Sequence, residues 1–155
     1  MKTTNHPPLI AYLNVNDAAA AIAFYQTAFG ASERYRLTNP ADGKIAHAEL
    51  DLNGSMIMLA DEQPAFGKSP ATLSGTSVKF SLMVEDADAA IDKAAAAGAT
   101  TLMPATDMFY GYRAGCLRDP FGHEWMVQHD IQKLSDEEIQ ARWAAMGADG
   151  CCGGN

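Results

Sequence analysis

Basic residues are scarce in this chain of 155 residues: 11 Lys and Arg stand against 19 Asp and Glu, a formal net charge of −8. Nucleic acid requires a basic footprint, and an anionic membrane surface attracts the same sign of charge. The composition argues against both partners, and the acidic surface reads as one that aids solubility. No apolar run approaches the ~20 residues of a membrane-spanning helix. The opening "MKTTNHPPLI" has one Lys and no long hydrophobic stretch, so no signal peptide is expected and the default address is the cytoplasm. Cysteine is also sparse: three residues, an odd number without the spacing of a disulfide framework. Cys116 falls in a predicted strand as a small buried hydrophobe. Cys151 and Cys152 adjoin in the glycine-rich end "GADGCCGGN"; two neighbours cannot alone supply four zinc ligands. That end is expected to be a disordered tail (148–155), with a thiol or metal role as the alternative. No glycine-rich nucleotide-binding loop is recognisable.

What is present is a repeat and ample apolar material. Apolar residues make up 48%, enough for one domain or two small repeats sharing a core. "VNDAAAAIAFYQTAFGA" from Val15 resembles "VEDADAAIDKAAAAGAT" from Val84, an offset of about 69 residues. In each copy an alternating run ends at Val, an Asp opens an alanine-rich helix and a Gly closes it. Asp17 and Asp86 suit the helix N-terminus, Gly30 and Gly98 the left-handed position after the last turn. Strands are predicted near 32–38, 44–52 and 55–60, with "LNGS" as a hairpin turn, and near 101–108, 111–118 and 123–128, with "DPFG" as the last turn. Each half is then βαβββ. The fold class is α+β: a first repeat over 8–62, a linker over 63–76 rich in Pro, Gly and Ser, and a second repeat over 77–130. A C-terminal helix over 135–147 is opened by a Ser135/Glu138 capping box. Trp143 requires that helix to dock on the body or on a partner subunit.

"YLNVNDAAAAIAFYQTAFGA", "GKIAHAELDLNGSMIMLADE" and "GCLRDPFGHEWMVQH" resemble the vicinal-oxygen-chelate (glyoxalase/bleomycin-resistance/dioxygenase) superfamily, and within it the PhnB-like branch, over roughly residues 8 to 130. The resemblance implies eight strands curved around a cavity. Many members hold one divalent metal there for a substrate's vicinal oxygens to chelate; resistance proteins of the same fold bind antibiotics without metal. It also implies a homodimer, with halves paired within or between chains.

In the metal-binding members, ligands come from early in the first strand and from the last strand of each half. Those places fall on Ile10, Met58, Lys79 and Met126 here. Methionine sulfur is soft. An ammonium about 4 Å from a doubly charged ion costs on the order of 8 kcal/mol at an effective dielectric near 20. No metal is expected at the usual place, and no cofactor.

Strand alternation assigns the faces. Leu9, Ala11, Leu13 and Val15, then Ala46, Ala48, Leu50 and Leu52, then Val78, Phe80, Leu82 and Val84 should meet the helices. Ile10, Tyr12, Asn14, His47, Glu49, Met56, Met58, Lys79, Ser81, Met83, Arg113, Leu117, Glu124, Met126 and Gln128 should face the cavity. Such a mixed wall suits a small-molecule pocket, and Met adapts to irregular ligands. The same methionines could fill a dry core, and His47 with Glu49 could be an ordinary satisfied pair. Phe109, Tyr110 and Tyr112 beside Arg113 could clamp a planar or anionic ligand, or could pack as a lid.

Three functions fit. The first, preferred, is a metal-independent protein that binds a small organic molecule. The second is a lyase, isomerase or dioxygenase-type enzyme using a displaced metal at His47, Glu49 and Glu124, or His47 and Glu49 as a metal-free acid–base pair. The third is a non-catalytic dimer whose cavity is filled by its own side chains.

Overall fold

The computed structural model describes residues 6–147. The element order is β1 (Ala11–Val15), α1 (Ala18–Phe29), β2 (Ser32–Thr38), β3 (Ile45–Leu52), β4 (Ser55–Asp61), α2 (Pro70–Leu73), β5 (Lys79–Met83), α3 (Ala87–Ala96), β6 (Thr100–Asp107), β7 (Tyr112–Arg118), β8 (Glu124–Asp130) and α4 (Asp136–Met146). The strands form two mixed four-stranded sheets ordered β1-β4-β3-β2 and β5-β8-β7-β6. Each sheet pairs its first strand in parallel with its last and is otherwise antiparallel. The two βαβββ units therefore share one topology. The expected tail with Cys151 and Cys152 lies outside the described residues.

Local chemistry explains the repeated helices. The Asp17 and Asp86 carboxylates accept from the Ala20 and Ala89 N–H groups at 2.9 and 3.0 Å, which satisfies donors that a helix start leaves free. Gly30 takes φ 70 and returns its N–H to the Gln26 carbonyl, a left-handed stop that costs glycine least. The apolar stripes of α1 and α3 then meet across the two units. Tyr25 and Phe29 of α1 pack against Trp125 of β8 at ring-centroid distances of 5.5 and 5.0 Å, and Phe80 of β5 meets the same indole at 4.9 Å.

Buried in this joint is Asp119. One carboxylate oxygen accepts from the Tyr25 hydroxyl at 2.7 Å and the Trp125 indole N–H at 2.9 Å. The other accepts from the Phe121 and His123 backbones. Burial, followed by the Asp119 charge and hydrogen bond, holds the Tyr25 phenol well above its usual range. Two further contacts link the units: the His123 ring at 3.2 Å from the Asn14 carbonyl, and the Asn53 amide donating to the Met83 carbonyl. The two sheets thus touch at these points without sharing a ladder.

Two facing expectations are corrected. Arg118 pairs with Glu124, Cys116 with Met126 and Ala114 with Gln128, so these share a face, while Leu117 pairs with Trp125 and Arg113 with His129. Leu117 and Arg113 therefore lie on the helix face, not the cavity face. The length of the β7–β8 turn sets this parity, and a slip of one residue exchanges the two faces. Similarly, Leu37 and Thr38 pair with His47 and Ile45, so that Ala46 is an extra residue in β3, and Ile45, 2% exposed, takes the core place expected for Ala46.

The 63–76 segment is not featureless. It makes a tight turn bridged between Gln63 and Gly67 and the single-turn α2, capped by the Ser69 hydroxyl on the Thr72 N–H. Helix α4 has the full Ser135/Glu138 capping box. It docks through Trp143, whose ring lies 5.3 Å from Phe109, and through Arg142, which donates to the Phe109 carbonyl and to Gln132; none of its residues is fully buried. Among the described residues no helix is long and apolar enough to cross a membrane.

Candidate functional site

On the face of the first sheet away from α1, register brings the polar residues into rows. Tyr12 neighbours Met58, Met58 neighbours Glu49, and Glu49 neighbours Tyr35. Asn14 neighbours Ala60 on the next row. Over this floor lies a cleft of about 590 Å³ lined by Tyr12, Asn14, Ala46, Ala60, Asp61, Gln63 and Phe66. That volume falls within the range of small-molecule pockets.

The far wall comes from the 63–67 turn. The Phe66 and Gly67 N–H groups both donate to the Gln63 carbonyl at 2.9 Å, and the turn presents Phe66, 86% exposed, at the mouth. The turn sits so close to β1 that a Cβ on Gly67 would lie 2.4 Å from the Asn14 amide nitrogen. A side chain at position 67 would have to push the Asn14 amide aside. Asp61 stands at the end of the cleft with its carboxylate engaged on the α1 side. Its two oxygens accept from the Ala18 N–H at 2.9 Å and the Ile45 N–H at 2.7 Å, tying β4 to α1 and β3.

Behind Tyr12 runs a chain of hydrogen bonds. The Tyr12 hydroxyl lies 3.0 Å from His47 Nδ1, and His47 Nε2 lies 3.4 Å from Glu49 Oε1. His6 Nε2 approaches the same carboxylate oxygen at 3.2 Å. Burial raises the Tyr12 phenol above its ordinary value. Burial also pushes Glu49 up, but hydrogen bonds and charge from His47 and His6 outweigh it and leave the carboxyl below its ordinary range. The Tyr35 ring, 6.2 Å from the His47 ring, lies along the other side.

The structure thus brings Tyr12, His47, Glu49 and Met58 together on one sheet. The second sheet gathers Lys79, Glu124, Met126 and Met83. Lys79 Nζ lies 4.0 Å from Glu124 and 3.9 Å from the buried Cys116 thiol, and Arg118 donates to Glu124 at 2.7 Å. Met126 pairs with Ser81 and with Cys116. Met83 is half-exposed. A smaller cleft of about 260 Å³ borders Arg118 and Glu124.

Of the two arrangements open to Arg113 and Tyr110, they do not form the clamp. Arg113, on the helix face, is ion-paired to Asp88 at the start of α3 and to Asp107 of β6, which drive its guanidinium pKa upward. Tyr110 packs edge-on to Phe109 at 5.1 Å, in the cluster that seats α4.

Nor does Glu124 join His47 and Glu49, being committed to Arg118 and Lys79 on the other sheet. Among the described residues no three His, Cys, Asp or Glu side chains are grouped to hold a metal ion. The four places that the family resemblance gives for ligands hold Ile10, Met58, Lys79 and Met126, with Lys79 drawn toward Glu124. This donor set does not fit a hard divalent ion.

Sequence reasoning missed Ala46, Ala60, Asp61, Gln63 and Phe66 as lining residues, and His6 as a partner of Glu49. The one signal in the sequence was Phe66, an aromatic stranded among Pro, Gly and Lys in the 63–76 segment.

The family model described as the glyoxalase/bleomycin resistance protein/dioxygenase superfamily matches residues 6–127. An uncharacterized protein of Mycobacterium bovis is 43% identical over 145 residues, covering 91% of this chain and 95% of its own. Among solved structures, an Arabidopsis thaliana gene product aligns with a TM-score of 0.64 at 30% identity over 81% of this chain and 98% of its own. TioX from a Micromonospora species aligns with a TM-score of 0.63 at 28% identity over 82% and 99%. Family model, relatives and fold agree, and the chain belongs to the glyoxalase/bleomycin resistance protein/dioxygenase superfamily.

Proposed function

We propose that this protein binds a small organic molecule in the first-sheet cleft and does so without the divalent metal site usual in its superfamily. The observation that carries the reading is the cleft itself: about 590 Å³, with Tyr12 and Phe66 as aromatic walls and Asn14 and Gln63 as orienting polar groups. A pocket of mostly apolar wall with a few placed polar groups is the usual architecture for such ligands. On its sequence motifs we assign the chain to the PhnB-like branch, as a cytoplasmic homodimer. A thermal-shift screen of small organic fragments tests the function. Hits that stabilise the wild type and lose their effect in Phe66→Ala support it; hits indifferent to Phe66→Ala and Tyr12→Ala contradict it. Elemental analysis after loading with zinc, nickel, manganese or iron(II) tests the metal clause, with well under one equivalent expected.

The Tyr12–His47–Glu49 chain favours a second reading, metal-free acid–base chemistry. A carboxylate behind an imidazole orients it and stabilises its charged form, so a proton can pass from a ligand to Tyr12 as the Tyr12 proton passes to His47. Ligand-dependent turnover abolished by His47→Ala but retaining ligand affinity would establish this reading over simple binding.

A further inference from the structure

The space available to a ligand does not stop at Asn14. A second hollow of about 320 Å³ opens beside the cleft, and Tyr12 and Asn14 line both. Its other walls include Pro70 and Leu73 of α2 and, from the turn between β7 and β8, His123. The hollow therefore carries the site from the first βαβββ unit to a side chain of the second.

His123 is buried and its place is fixed. Its backbone N–H donates to the Asp119 carboxylate, and its carbonyl accepts from the Asp119 N–H. In the ring, Nε2 lies 3.2 Å from the Asn14 carbonyl oxygen. A carbonyl oxygen can only accept, so Nε2 carries the hydrogen of that bond. Burial lowers the imidazole pKa against the opposing pull of Asp119 and the Asn14 carbonyl, and the ring is uncharged at neutral pH. A neutral imidazole has a single N–H, which leaves Nδ1 as a bare lone pair.

Among the described residues that lone pair has no hydrogen-bond partner. Nor is it sealed away, because among the described residues no fully buried side-chain nitrogen or oxygen lacks a partner. Nδ1 must then reach open space, and the open space that His123 borders is the hollow.

We infer that the hollow is a subsite of the cleft in which His123 Nδ1 accepts a hydrogen bond from the ligand: an uncharged O–H or N–H donor on an apolar body that lies along Pro70 and Leu73 toward Tyr12. The subsite presupposes, as proposed above, that the protein binds a small organic molecule. It also confers selectivity. A ligand of the same shape without the donor displaces water from Nδ1 and leaves the nitrogen unpaired.

β-Naphthol and its methyl ether share a body and differ in the donor. Both are titrated into the full chain at neutral pH, with the imidazole nitrogens and the backbone amides followed by their chemical shifts. Before any ligand is added, His123 should show hydrogen on Nε2 and none on Nδ1. The naphthol should bind about fivefold more tightly than the ether, and it alone should shift His123 Nδ1. His123→Phe keeps an aromatic ring and removes the acceptor; in that variant the two probes should bind equally, the ether with its wild-type affinity. Hydrogen on Nδ1 of the free protein, equal affinity of the two probes for the wild type, or naphthol bound in the cleft with Nδ1 unmoved overturns the subsite and leaves the binding proposal standing. So does a cleft occupied by other fragments while neither probe binds. If His123→Phe fails to fold, the wild-type nitrogen shifts and affinity ratio decide alone. A shift of Nδ1 with Gln63 and Phe66 unaffected supports the subsite and counts against the cleft. Failure of every fragment at both cleft and hollow overturns both.

Discussion

At the scale of single residues, Glu49 and Gly67 decide whether the cleft exists in working form. Glu49 has its carboxyl lowered in the folded chain. Its contribution to stability is thus fully present above the unfolded value of about 4.3 and is lost as pH falls through the lower folded value. Denaturation curves at several pH values check this: wild type should exceed Glu49→Gln above pH ~5 and the gap should close below pH ~4. Gly67→Ala should push the Asn14 amide, which lines the cleft, out of its place, because its Cβ would meet that side chain. Fragment affinity should fall about tenfold or more with a smaller change in melting temperature; an unaltered affinity in that variant would mean Asn14 is not a wall of the site. His47, Glu49, Tyr12 and Met58 were legible in the sequence because strand alternation alone puts them on the face opposite the helices. Arg113 was not, since its facing depends on a turn length that periodicity does not encode. Phe66 and Gln63 were not, since a loop's return across a sheet leaves no periodic trace.

At the scale of elements, the two units were readable because three local signals coincide twice: an alternating run, an Asp cap and a glycine stop. The Ser135/Glu138 box was equally explicit, and the helix it opens is present. What the box does not convey is how lightly α4 is held. The helix has no buried residue, and its anchor is Trp143 on Phe109 with Arg142 on the Phe109 carbonyl. Ser135→Ala should cost about 1 kcal/mol at this helix and appear as faster amide exchange within α4, with the sheets unaffected. If exchange in the sheets accelerates equally, α4 is part of the cooperative core and not a lightly held appendage.

For the whole molecule, the joint between the units depends on one buried carboxylate. Asp119→Ala would leave the Tyr25 hydroxyl and the Trp125 indole N–H buried without their acceptor, at a cost of about 3 kcal/mol or more. For a chain of this size that is roughly a 6–12 °C drop in melting temperature by calorimetry. The fold class followed from the doubled βαβββ pattern, but this joint did not: "DPFG" read as a turn signal, and nothing in the turn chemistry reveals that its Asp is aimed inward at two aromatic side chains, one of them a long way off in sequence. The first-sheet cleft and the hollow at Arg118 and Glu124 are joined by a third hollow of about 320 Å³ lined by Tyr12, Asn14, Lys68 and His123 among others. Ligand binding is assigned to the cleft.

That assignment is tested most directly by mapping where small organic fragments bind, using amide chemical-shift perturbation in the full chain. Binding in the cleft predicts shifts concentrated at Tyr12, Asn14, Ala46, Ala60, Gln63 and Phe66. Shifts concentrated instead at Lys79, Cys116, Arg118 and Glu124, or spread without a focus over both sheets, would contradict it.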